Sequence, residues 1–129
     1  GLEGSVKSVL QMVDSGVGQD LIAAERQTAI NEMEALRLID PTYDVEGKTK
    51  ALDQTIYDQT VSTEILNLAT SAENMPEAYA KLQEYSRKVP SDRAPDEWRA
   101  FISKQQISLN QVVIDLTMLK LLRLKISLN

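Results

Sequence analysis

Proline and glycine decide where this chain can turn, and they leave long stretches unbroken. The four prolines stand at positions 41, 76, 90 and 95, and the five glycines at 1, 4, 16, 18 and 47. Between them, apolar residues recur every three or four positions, the spacing of an amphipathic helix. A fold of many short strands would need turn residues far more often. The expected fold is therefore all-α: a single-domain bundle of about five helices spanning residues 1–129, with a long apolar C-terminal helix. A chain of 129 residues is long enough to bury a real core.

The punctuation sets the expected segments. Val6, Val9, Leu10 and Val13 make a short stripe over Ser5–Val13, which Gly16 and Gly18 end. A second helix starts at Gln19 and carries Ile22, Ala23, Ala29, Ile30, Met33 and Leu36. Asp40-Pro41 stops it, because the residue before proline is pushed out of the α region. Thr42–Gly47 reads as a loop. A third helix is expected over Thr49–Ala72, with its stripe slipping between Ile56 and Val61, which predicts a bend or a change of packing partner. Asn74-Met-Pro-Glu77 predicts the next helix start: a capping Asn, a proline in the first turn and a capping-box acid. The fourth helix then carries Met75, Ala78, Leu82, Tyr85 and Val89 up to Pro90.

The fifth helix begins near Pro95, where Asp96 and Glu97 suit the positive end of the helix dipole. Trp98, Phe101, Ile102, Leu109, Val112, Val113, Leu116 and Leu119 follow one face. Ile107, Ile114, Met118 and Leu121 follow a second. From Val112 onward it is apolar nearly all round, so it is expected to be the most central helix. Its end changes rhythm. Leu122-Arg-Leu-Lys-Ile-Ser-Leu-Asn129 alternates apolar and polar, the period of a strand. A short terminal strand, added to a partner's sheet edge, competes there with continued helix, in which Leu121, Leu124 and Leu128 would share a stripe. The tetrapeptide Ile-Ser-Leu-Asn occurs at 107 and again at 126. Nineteen residues leave the copies about 100° out of phase on a helix, so the echo reads as chance.

Composition narrows the chemistry. The chain has no cysteine and no histidine. That removes disulfides, thiol nucleophiles, the commonest general base and the commonest metal ligand. No phosphate-binding glycine loop appears, and the carboxylates show no spacing that would line a bundle interior. The expectation is no enzyme, no metal and no cofactor, with a carboxylate-dependent enzyme as the distant alternative. The net charge is −5. Residues Gly1–Trp98 hold nine Lys/Arg against eighteen Asp/Glu, a net of −9, whereas Arg99–Asn129 hold five against one, a net of +4. The acidic total disfavours nucleic acid. Asp115, Lys120, Arg123 and Lys125 interrupt the apolar run, which argues against a membrane span. Contact with a membrane surface through the same basic, apolar segment is the second reading. The start, Gly1-Leu-Glu-Gly4, shows no signal peptide and reads as a cloning scar or the start of an internal fragment. The compartment stays open between the cytoplasm and secretion by a route without a signal peptide.

What remains is a non-catalytic helical module for protein–protein contact or self-association: an assembly subunit, an adaptor or a chaperone-like protein. The candidate contact residues are Trp98, as an aromatic anchor, and Leu121, Leu122, Arg123, Leu124, Lys125, Ile126 and Leu128. Core staple is the other role for Trp98. Ala80-Lys-Leu, followed by Val89-Pro-Ser-Asp92 and a long C-terminal helix, resembles the helix, proline-serine turn and helix hairpin of type III secretion needle subunits. The resemblance covers under half of the chain. Needle subunits are shorter and lack this apolar, alternating end, so no family is assigned from it. What it implies is an assembly role in a bacterial secretion system, with phage assembly as the related setting.

Overall fold

A computed structural model describes residues Gly1–Leu128 and shows five helices: α1 (Leu2–Asp14), α2 (Gln19–Ile39), α3 (Val45–Leu68), α4 (Met75–Arg87) and α5 (Pro95–Leu128). The all-α expectation holds. Among the described residues there is no strand, and α5 stays helical through Leu128, so the terminal alternation does not make one. Asn129, the last residue of that segment, lies outside the described residues. By internal contacts the chain resolves into two compact units, Gly1–Thr63 and Glu64 onward, with α3 spanning the junction.

In the first unit α1 packs on α2. Val9, Val13 and Ile22 form one buried cluster, with Met12, Val17 and Ile56 against it. Ala29, Met33, Val45 and Leu52 form another, flanked by Leu2, Val6, Tyr43 and Ile56. Leu2–Gly4 are thus the first turn of α1, and Leu2 covers core. The α1–α2 turn is a Schellman motif. The Gly16 amide donates to the Val13 carbonyl and the Val17 amide to the Met12 carbonyl, each at 3.2 Å. Gly16 sits at φ +73°, which only glycine adopts freely. Arg26 of α2 grips Asp53 of α3 with two parallel hydrogen bonds, at 2.6 and 2.9 Å.

Both ends of α3 differ from the sequence-based expectation. Helix α3 begins at Val45, not near Thr49, and ends at Leu68, not at Ala72. The Asp44 carboxylate accepts the Gly47 amide at 3.0 Å, capping a helix start that Gly47 had disguised as loop. At α4 the position of Asn74 is right but its expected role is not. The Asn74 side chain makes no capping bond and donates instead to the Thr70 hydroxyl at 2.8 Å. The slip in the α3 stripe does mark a change of surroundings: Leu52 and Ile56 belong to the first unit's core, whereas Ile65 is fully buried in the second.

In the second unit α4 packs on α5. Met75, Ala78 and Leu82 are buried on α4, and Trp98 and Leu109 on α5. Two hydrogen bonds fix the antiparallel register. The Trp98 indole donates to the Tyr85 carbonyl at 3.0 Å, and the Tyr79 hydroxyl donates to the Asn110 side chain at 2.7 Å. At 1.5 Å per residue α5 is about 51 Å long and α4 about 20 Å. With Tyr79 level with Asn110, α4 runs out close to Ile114. The rest of α5, about 21 Å of helix, has no counterpart in α4.

Candidate interaction surface

Burial along α5 reverses the expectation that its C-terminal part is the most central. Trp98 and Leu109 are fully buried; Phe101, Ile102, Gln105, Val112 and Leu116 are partly covered. From Thr117 to Leu128 all twelve residues are exposed. Seven of them are large and apolar: Met118, Leu119, Leu121, Leu122, Leu124, Ile126 and Leu128. A helix that is apolar all round ordinarily needs burial on several sides. Here the α4–α5 hairpin is too lopsided to supply the covering elements.

The inner face of α5 also changes character. Eighteen residues are five full turns. Carried on by that distance, Ile102, Gln105 and Leu109 are succeeded by Lys120, Arg123 and Ser127. The stripe that packs inside the unit therefore ends in two cations and a serine. The second face, half a turn away, remains apolar to the end. Ile107, Ile114, Leu121 and Leu128 lie on it at 67, 54, 55 and 88% exposure. Asp115 is the one acid in the region, and it accepts a hydrogen bond from Gln111 at 2.9 Å.

Of the residues singled out in the sequence, Leu121, Leu122, Leu124, Ile126 and Leu128 form this open surface together with Arg123 and Lys125. Trp98 does not belong to it. Its ring is wholly buried, stacks on Phe101 with centroids 5.1 Å apart, and lies under the Arg93 guanidinium. Trp98 is the core staple of the second unit, not an exposed anchor. Ile114, Met118 and Leu119 belong to the surface and were not among the candidates. Their spacing puts Ile114 and Met118 on the second face of α5; only the missing cover shows that face to be open.

Carboxylates do gather in one open cleft of about 540 Å³ in the second unit, lined by Glu64, Glu77, Lys81 and Glu84 among others. Lys81 bridges Glu64 at 3.1 Å and Glu84 at 3.7 Å, and the Tyr85 hydroxyl donates to Glu64. The Lys88 ammonium, with Lys81 beside it, holds the Glu84 carboxyl below its ordinary value. Acid–base work would call for a carboxyl pushed the other way. Among the described residues no group of three or more potential ligands is placed to hold a metal ion, and no helix is long and apolar enough to cross a membrane. No family model, curated protein or solved structure matches the chain.

Proposed function

We propose that the protein is a non-catalytic helical interaction module whose contact element is the C-terminal part of α5. It would serve as an assembly subunit, adaptor or chaperone-like protein, in the kind of setting a bacterial secretion or phage system provides. One observation supports this above the others: twelve successive exposed residues carry seven large apolar side chains. Apolar surface gains about 25 cal/mol for each Å² removed from water. Contiguous apolar patches beyond a few hundred Å² are rare on proteins that work alone. A partner that covers this helix collects that gain, and the chain's own fold does not.

Deleting Leu122–Asn129 tests the reading. The expected product keeps the cooperative melt of the intact chain at low protein concentration, loses only the deleted turns from its helical circular dichroism, and no longer engages its partner. A truncated chain that melts far earlier would make the segment part of the core and end the reading.

Contact with an anionic membrane surface is the second reading. Its support is that Arg123 lies opposite the row from Ile107 to Leu128, with Lys120 on its flank, as in helices that lie flat in a lipid interface. Vesicles of anionic lipid decide it by sedimentation, since no binding even at low salt removes it.

A further inference from the structure

The open face of α5 has a spacing as well as a polarity. Ile107, Ile114, Leu121 and Leu128 stand seven residues apart, and all four are more than half exposed. On a straight helix such a row drifts by about 20° per seven residues, and winding around a second helix removes the drift. Met118, four residues after Ile114, and Leu124, three after Leu121, widen the row into a seam. The row is about 32 Å long.

We propose that this seam pairs with the same seam of a second copy of the chain, antiparallel and crossing near Met118. The proposal rests on the reading of the α5 end as the contact element. Charge selects the orientation. Lys125 lies on the seam, four residues after Leu121, and no acid follows Asp115. Parallel pairing would set Lys125 against Lys125; like charges so placed are destabilising. Antiparallel pairing sends the two cationic ends apart. It sets Lys125 of one copy opposite Gln111 of the other, within a turn of Asp115, the segment's only acid. The area suffices as well. The apolar side chains of the seam, each exposing on the order of 100 Å², approach the roughly 800 Å² per partner of a standard interface.

The absence of cysteine makes the geometry directly testable. Light scattering on the intact chain at tens of micromolar should report a dimer, and Leu121→Asp a monomer with unchanged helical circular dichroism. Met118→Cys should form a covalent dimer under mild oxidation. Leu128→Cys should not, because antiparallel pairing holds the two ends far apart, whereas a mixture of Ile107→Cys and Leu128→Cys should cross-link to each other. A monomer at every concentration, with Met118→Cys no more reactive than Leu128→Cys, overturns the proposal. So does self-cross-linking of Leu128→Cys, which would mean parallel pairing, or a monomer that sediments with anionic vesicles, which would give the face to lipid. In any of these cases a truncated chain that still melts as the intact one leaves the contact-element reading standing. A truncated chain that loses its fold ends both.

Discussion

At the scale of single residues, the most informative pair is Asp44 and Gly47. A β-carbon added to Gly47 would lie 2.1 Å from an Asp44 carboxylate oxygen, so cap and side chain compete for one space. Alanine inside a helix is worth up to about 1 kcal/mol over glycine, and losing an Asp cap costs about the same. Asp44→Ala should therefore destabilise by about 1 kcal/mol. Gly47→Ala should gain nothing in the intact chain and up to about 1 kcal/mol once residue 44 is Ala. Denaturant unfolding of the two single variants and the double variant measures this coupling, and simple additivity would refute it. Sequence patterns hid this helix start because a glycine reads as a breaker until its capping partner is seen. They also could not separate the two roles of Trp98, because an aromatic in a first turn serves core and interface alike. Burial predicts that Trp98→Ala costs about 3–5 kcal/mol. The lone tryptophan's emission should sit at the blue end of its range and move red on unfolding, a shift read by fluorescence.

At the scale of elements, α5 is one helix with two fates. Its start and its two faces were legible in the sequence, because Pro95, Asp96 and Glu97 mark the first turn and the apolar spacing holds beyond Val112. The exposure of its far end was not, since that depends on α4 being less than half as long. Substitution separates the halves. Leu109→Asp puts a charge where the side chain is fully buried and should abolish the cooperative fold. Leu124→Asp, about four turns beyond Leu109, the last buried position on α5, should leave the melting temperature within about 2 °C when measured at low protein concentration. Thermal melts by circular dichroism compare the two. Equal damage from both would place the far end in a core.

At the scale of the molecule, stability should be level through neutrality and fall on the acid side. The Glu46 carboxyl is held low by the Arg37 hydrogen bond, the Glu84 carboxyl by Lys88, and the Asp40 carboxyl by the Thr42 hydroxyl and amide. A carboxyl with a depressed folded-state pKa adds stability above its ordinary value, 4.5 for Glu and 3.8 for Asp, and that stability fades as the pH falls through the lower folded value. All three sites are exposed, so each contribution is small. With no histidine to titrate, the melting temperature should be flat between about pH 6 and 8 and fall below about pH 4.5. A step near neutrality in a melting series would contradict this. The division of charge between an acidic body and a basic end was legible from the sequence alone. Where the core of each unit lies was legible only in part: the stripes name the residues, but Ile56 packs against two clusters at once and Val89, on the same stripe as Leu82, is exposed.

The alternation at the very end, which forms helix here, has a consequence in concentrated solution. If the last turns unwind, Leu122, Leu124, Ile126 and Leu128 line one side of an extended segment of the kind that stacks into fibrils. Arg123 and Lys125 interrupt it at every second position, and in a register-matched stack each would meet its own kind. These two cations therefore act as gatekeepers. A variant neutralised at both positions should be the one that gels on storage.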